Sequence, residues 1–232
     1  MGPGGDRGGA LQQGLAARLR GETHALHVKA ERAGVMPALL EGRVTTALYC
    51  LLLRNLHDIY VQLESSLRQH AHETSVAPVV FPELFREVPL SQDLRVFYGE
   101  AWRTDIPRLP TTQRYVERLV AIGTDQPVLL VAHAYVRYLG DLSGGQLLAR
   151  AVRSLVPAGA ASGTQFYEFG AAHAVAELAR RFRAGLDAIP VDAEAAAAII
   201  GEAQWAFRAH ARLFEEIATG ASEEPAAAHP LV

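Results

Sequence analysis

Apolar residues recur every three or four positions along most of this 232-residue chain, with polar residues between them. Between Val44 and Leu67 the positions Leu48, Leu52, Leu56, Ile59, Leu63 and Leu67 fall on one helix face. A first helix is expected over Leu15 to Ala33, ended near Gly34 and Pro37. Pro78 to Pro89 reads as a loop broken by prolines. Short helices are expected over Ser91 to Phe97 and Gly99 to Ile106, then a longer one over Thr111 to Ile122, with Thr111 or Thr112 as its cap. Pro127, favourable in a first turn, opens a segment reaching Leu155. Two more helices follow, over Tyr167 to Leu186 and Asp192 to Ala218, the second capped by Asp192. The run "PVLLVAHAYV" could mimic a buried strand, but it has no alternating partners. The pattern predicts an all-α fold with one domain over 11–219. Residues 1–10, rich in glycine, are expected to form a disordered arm, and 220–232 a flexible tail.

One segment breaks the pattern. "RYLGDLSGGQLL", from Arg137 to Leu148, holds Gly140, Gly144 and Gly145 inside an otherwise helical stretch. Each interior glycine costs a helix about 1 kcal/mol relative to alanine. Two readings are open. "SGG" is the turn of a helix–turn–helix, or the helix continues and its glycines serve a surface. Tyr135, Leu139, Leu142 and Leu147 keep helical spacing through the segment, and Gly140 and Gly144, four apart, share a face. Such a face admits a neighbouring helix or a flat ligand, and periodicity does not decide between them.

Composition narrows the classes. The formal charge is −3 and the basic residues are scattered, which argues against nucleic acid. No apolar run approaches the roughly 20 residues of a membrane span. The start, "MGPGGDRGGA", lacks the apolar core of a signal peptide. A single cysteine, Cys50, excludes an internal disulfide and is compatible with a reducing compartment. A cytoplasmic protein is the expectation. No HExxH, cysteine pair, Glu-x-x-His or phosphate loop occurs.

The first helix carries "THALHVKAE". His24 and His27 are three apart and His27 and Glu31 four apart, so either pair meets on one face. A metal-ligating imidazole commonly gives its other N–H to a carboxylate or water. The competing reading is an ordinary exposed helix pair.

"LRGETHALHVKAE", "HDIYVQLE", "FPELF", "QDLRVFYG", "LLVAHAYVRYLGDLSGGQLL" and "AFRAHARLFEE" occur in this order, across about residues 15 to 218. Together they resemble the heme oxygenase family. The resemblance implies a helical fold with heme b between a proximal and a distal helix, heme being both substrate and cofactor. It implies ring opening with O2 and electrons from an external reductase or ferredoxin, giving biliverdin, carbon monoxide and ferrous iron. His27 then matches the axial ligand and Glu31 its neighbour. Gly140 and Gly144 match the bare face over the ring, where a side chain would collide. Asp141 matches the anchor of a water network, supported by Tyr60 and Arg137. Arg20, Arg183 and Tyr135 match propionate contacts, and Met36, Ser143, Phe207 and Phe214 other parts of the heme pocket. The alternative function is a non-catalytic heme carrier or sensor on the same scaffold.

Several positions depart from the animal pattern of the family. Ala179 replaces a propionate-binding lysine, with Arg180 or Arg181 as candidate substitutes, and His24 replaces another rim lysine. Fewer fixed cations could let heme rotate, although cleavage at the α position is still expected. His210 stands where the family has a distal asparagine, and an imidazole there could tune oxygen activation by protonation near neutral pH. The tail lacks the hydrophobic anchor of the animal enzymes, which predicts a soluble form, and a monomer is the default.

Overall fold

The computed structural model describes residues 14–160 and 162–220, so the expected arm and most of the expected tail lie outside it. The described residues are helices and connecting turns with no strand. The order is α1 (Leu15–Glu31), α2 (Met36–Leu40), α3 (Thr46–Gln69), α4 (Glu87–Tyr98), α5 (Trp102–Asp105), α6 (Pro110–Asp125), α7 (Leu130–Ala134), a π turn (Tyr135–Leu139), α8 (Gly140–Ala151), α9 (Ala172–Asp187) and α10 (Ala193–Gly220).

α3 is the core rod. Of the residues that the periodicity singled out, Leu52, Leu56, Ile59, Leu63 and Leu67 are buried and Leu48 is partly buried, while α4 and α6 flank it. α1 lies along α10, and α9 packs on α1. Gly34 makes the turn after α1 possible. Its φ is +48°, and a Cβ there would sit 1.9 Å from the carbonyl oxygen of Phe214. Only glycine allows both the left-handed turn and that approach.

Several boundaries differ from the sequence expectation, each for a local reason. α4 begins at Glu87 and includes Pro89, because a first-turn residue has no intrahelical N–H bond to lose. Gly99, at φ +97°, ends it, so α5 is a single turn from Trp102 rather than a helix from Gly99. Neither Thr111 nor Thr112 caps α6. Pro110 occupies its first turn, and the Thr111 N–H donates to the Glu216 carboxylate at 3.0 Å. α9 starts at Ala172 instead of Tyr167. Residues 165–167 form a separate 3-10 turn, pinned by the Asp93 carboxylate, which accepts the N–H groups of Gln165 (3.0 Å) and Phe166 (2.8 Å). Asp192 caps α10 as expected, accepting the Ala195 N–H at 2.8 Å. The short helix α2 carried no periodic signal.

The glycine segment contains no turn. The chain runs helical from Leu130 to Ala151, and the π turn at Tyr135–Leu139 adds local bending instead.

Behind this helix a buried polar cluster ties α7 to α6 and α10. The His133 ring is fully buried, with Nδ1 2.8 Å from the Tyr115 hydroxyl and Nε2 3.0 Å from Glu202 Oε1. Arg118 donates to both Glu202 oxygens, at 3.0 and 2.6 Å. Burial alone would raise the Glu202 pKa; the hydrogen bonds from His133 and Arg118 outweigh it and bring it to about 2. A depressed carboxyl stabilises the fold above its unfolded value, roughly 4.3, and that contribution is lost as pH falls toward 2. Glu202→Gln is therefore expected to lower stability at pH 7 by about 1–2 kcal/mol after solvent screening. It should also flatten the acid limb below pH 4.5, as read by urea unfolding across pH.

Candidate functional site

A cleft of about 1130 Å³ separates α1 from the π turn and the start of α8. Arg20, Thr23, His24 and His27 of α1 face Tyr135, Val136, Leu139, Gly140 and Ser143 across it. Arg183 and Asp187 of α9 and Phe207 of α10 close its sides. An inner chamber of about 160 Å³ continues from it. His27, Glu31, Met36, Gly144, Phe207 and Phe214 line that chamber, with Arg137 and Asp141 among its polar groups.

His27 lines both spaces and keeps 41% of its side chain exposed. Its ring meets Phe207 edge-on, with centroids 5.7 Å apart. Glu31 Oε1 lies 3.7 Å from Nε2, near but beyond hydrogen-bond reach. Across the cleft, a Cβ built on Gly140 or Gly144 would have no protein atom within 4 Å outside its own helix turn. These glycines therefore face open space; no neighbouring helix fills it.

The polar group beneath the glycine face is built from two elements. Asp141, on α8, is 7% exposed and accepts the Tyr60 hydroxyl of α3 and the Arg137 guanidinium at 2.9 Å. Arg137 Nε also donates to the Tyr60 oxygen at 3.0 Å. Burial pushes the Asp141 carboxyl up, and Arg137 and Tyr60 pull it back toward the ionised form. Burial likewise keeps Tyr60 a phenol, well above its usual pKa, so its O–H stays a donor. Helical spacing put Arg137 and Asp141 on one face; only packing brought Tyr60, 81 residues away, onto the same carboxylate.

At the mouth, the Tyr135 hydroxyl lies 3.2 Å from Thr23 Oγ1. Burial raises the tyrosine's pKa, opposed by Thr23 and by the charges of Arg20 and Arg183. Ser143 sits at the cleft edge with its hydroxyl bonded to the Gly140 carbonyl at 3.1 Å. Apart from Arg180 and Arg181, the structure gathers the sequence-derived candidates at one site: Tyr60 by its bond to Asp141, the others in its walls.

The Heme oxygenase family model matches residues 13–216. A heme oxygenase of Pyropia yezoensis is 38% identical over 203 residues, covering 88% of this chain and 85% of that protein. Human heme oxygenase 1 is 37% identical over 210 residues, covering 90% and 73%. This chain belongs to the heme oxygenase family. Among solved structures, heme oxygenase-2 from Synechocystis, determined with heme and NO, aligns at a TM-score of 0.84 and 36% identity, over 88% of this chain and 85% of that one. The Leptospira interrogans enzyme aligns at 0.82 and 33%, over 88% and 100%. The protein is accordingly an enzyme of heme degradation, and among the described residues no helix is long and apolar enough to cross a membrane.

Against the family background, two expectations need correction. Neither Arg180 nor Arg181 takes the place of the missing lysine. Ala179 is buried, Arg180 pairs with Glu177 at 2.6 Å, and Arg181 pairs with Glu83 at 3.4 Å, all away from the cleft lining. The helical phase that buries position 179 turns 180 and 181 outward. His24 does reach the cleft wall. His210 is no neutral-pH switch: burial, with Arg137 and His133 nearby, drives its pKa well below the usual value. Residues that the sequence did not mark as part of a site also shape it. Thr23 and Asp187 line the mouth; Leu39, Leu52, Leu56, Phe166 and Tyr167 line the chamber. In sequence they look like any other core or cap residue.

The open glycine face has a stability consequence. In the heme-free protein, Gly140→Ala and Gly144→Ala should each gain up to about 1 kcal/mol of helix propensity, since the new methyl meets nothing. Differential scanning calorimetry should show a melting temperature raised by about 2–4 °C per kcal/mol.

Proposed function

We propose that this chain opens the heme ring with O2 and externally supplied electrons, giving α-biliverdin, carbon monoxide and ferrous iron, and that His27 would hold the heme iron. The observation that carries the reading is an accessible imidazole on α1 facing a bare glycine stretch across one open cleft. The residues present fit heme: a Cβ at Gly140 or Gly144 would project into free space that a flat ring needs. Bound there, heme supplies both the iron that takes O2 and the carbon skeleton that is cut.

The protein's own groups divide the remaining work. Arg20 and Arg183 stand at the mouth without a carboxylate partner among the described residues, free to grip propionates with paired hydrogen bonds. The Tyr135 hydroxyl stands beside them; its hydrogen now goes to Thr23 Oγ1, which gives its own to the Leu19 carbonyl, and would have to turn to reach a propionate. Met36, Phe207 and Phe214 provide apolar contact and limit water. Glu31 lies close enough to orient the His27 ring through small rotations. Asp141 spends one lone pair of each oxygen on Arg137 and Tyr60, so each keeps a second for water. Water held there would stand between Asp141 and the bound substrate and could carry protons toward it. The Arg20–Arg183 rim offers a positive landing site for an acidic ferredoxin or flavoprotein reductase.

Hemin titration followed by reductant under air tests the reading. A Soret band should form, then decay as biliverdin absorbance grows; a persistent Soret band would mean heme binding without turnover. His27→Ala should abolish turnover, with exogenous imidazole restoring part of it. Asp141→Asn should bind hemin within about threefold of wild type yet form at least tenfold less biliverdin; normal yield from it would remove Asp141 from the mechanism. Chromatography of the bilin isomers checks the α assignment, and Arg183→Glu should convert a single product into a mixture.

A further inference from the structure

The inner chamber holds one hydrogen-bonding atom for which the protein has no use. His210 of α10 is 2% exposed and lines the chamber beside Arg137, Asp141, Phe207 and Phe214. Its Nδ1 turns back onto its own helix, 2.9 Å from the Ala206 carbonyl oxygen. A carbonyl only accepts, so Nδ1 carries the proton and Nε2 is left as a bare lone pair. Nε2 is buried and has no partner among the described residues. The ring is clamped in this orientation by Tyr115 edge-on, centroids 5.0 Å apart, and by Phe214 at 6.1 Å.

A buried acceptor without a donor is unfavourable, and such atoms in native proteins are commonly met by ordered water. The chamber has room: 160 Å³ accommodates several waters at roughly 30 Å³ each. It is also polar on one wall, where Arg137 and Asp141 stand. The other charged or titratable groups packed around the ring are His133 of α7 and Tyr115 of α6, and neither offers it a hydrogen bond. Arg137 and His133 both disfavour a second proton on the imidazole.

We propose that His210 is a positioning residue: as a fixed Nδ1–H imidazole it accepts, through Nε2, a hydrogen bond from a chamber water and so anchors the end of the water network opposite Asp141. The proposal rests on the Asp141 reading above. It gives this chain a departure with a definite consequence. An asparagine side chain both donates and accepts, whereas this imidazole only accepts, so the water beside it must point a hydrogen toward α10.

Two measurements test it. In the heme-free 15N-labelled protein, long-range proton–nitrogen spectra should show His210 with a protonated Nδ1 and a lone-pair Nε2, unchanged between pH 5.5 and 8. A protonated Nε2, or a titration inside that range, overturns the proposal. In the heme-loaded protein, His210→Asn and His210→Leu should bind hemin within about threefold of wild type. The asparagine variant, which keeps an acceptor, should form biliverdin per electron consumed as wild type does; the leucine variant should fall at least fivefold. Equal loss in both variants, or none in the leucine variant while Asp141→Asn fails, overturns the role of His210. Normal coupling in both His210→Leu and Asp141→Asn removes the Asp141 reading, and this proposal with it.

Discussion

The constraint on which this structure depends is that a wide slot stays open inside a protein whose other surfaces pack tightly. Apolar interiors close on themselves unless something holds them apart. Here the two walls are each tied to a support behind them. α1 is braced along α10, with Gly34 set against the Phe214 carbonyl. The opposite helix is tied to α3 through Asp141 and Tyr60, and to α6 and α10 through His133, Tyr115 and Glu202. Between the walls, the Tyr135 hydroxyl meets Thr23 Oγ1 near the slot's edge.

The same ties set the electrostatics of the site. Burying Asp141 disfavours its charge and raises its pKa, and Arg137 and Tyr60 oppose that rise without cancelling it. The carboxylate is then an acceptor whose orientation is fixed by two donors, one from its own helix and one from α3. A buried ion pair is often no more stabilising than an apolar replacement, and here the carboxylate lines the chamber. The glycines above it follow the same trade. They weaken the helix and leave room that a stable core would fill.

Legibility in the sequence followed the range of the interactions. α3 was readable from periodicity, as was the Asp192 cap, since each depends on residues a few positions apart; the glycine segment stayed open between a turn and a continued helix. The starts of α4 and α9 were misread because Pro89 is harmless in a first turn and because Asp93, more than 70 residues away, holds Gln165 and Phe166 in a turn of their own. Within the site, His27, Arg137, Asp141 and the glycines stood out by spacing and resemblance. Thr23, Asp187 and the chamber leucines carried no signal of a site, because lining a cavity and filling a core demand the same residue types.

By itself the sequence determined the helices, the shared face of Gly140 and Gly144, and the family, for these are properties of local order and of strings of residues. Only the tertiary structure decided that the glycine face looks onto open space, that Tyr60 reaches Asp141, that Arg180 and Arg181 turn away from the cleft, and that His210 is locked with its free nitrogen buried. Each of these depends on what lies across from a residue in space. One-dimensional spacing fixes a side chain's direction about its own helix axis and leaves its partners to the packing of the rest.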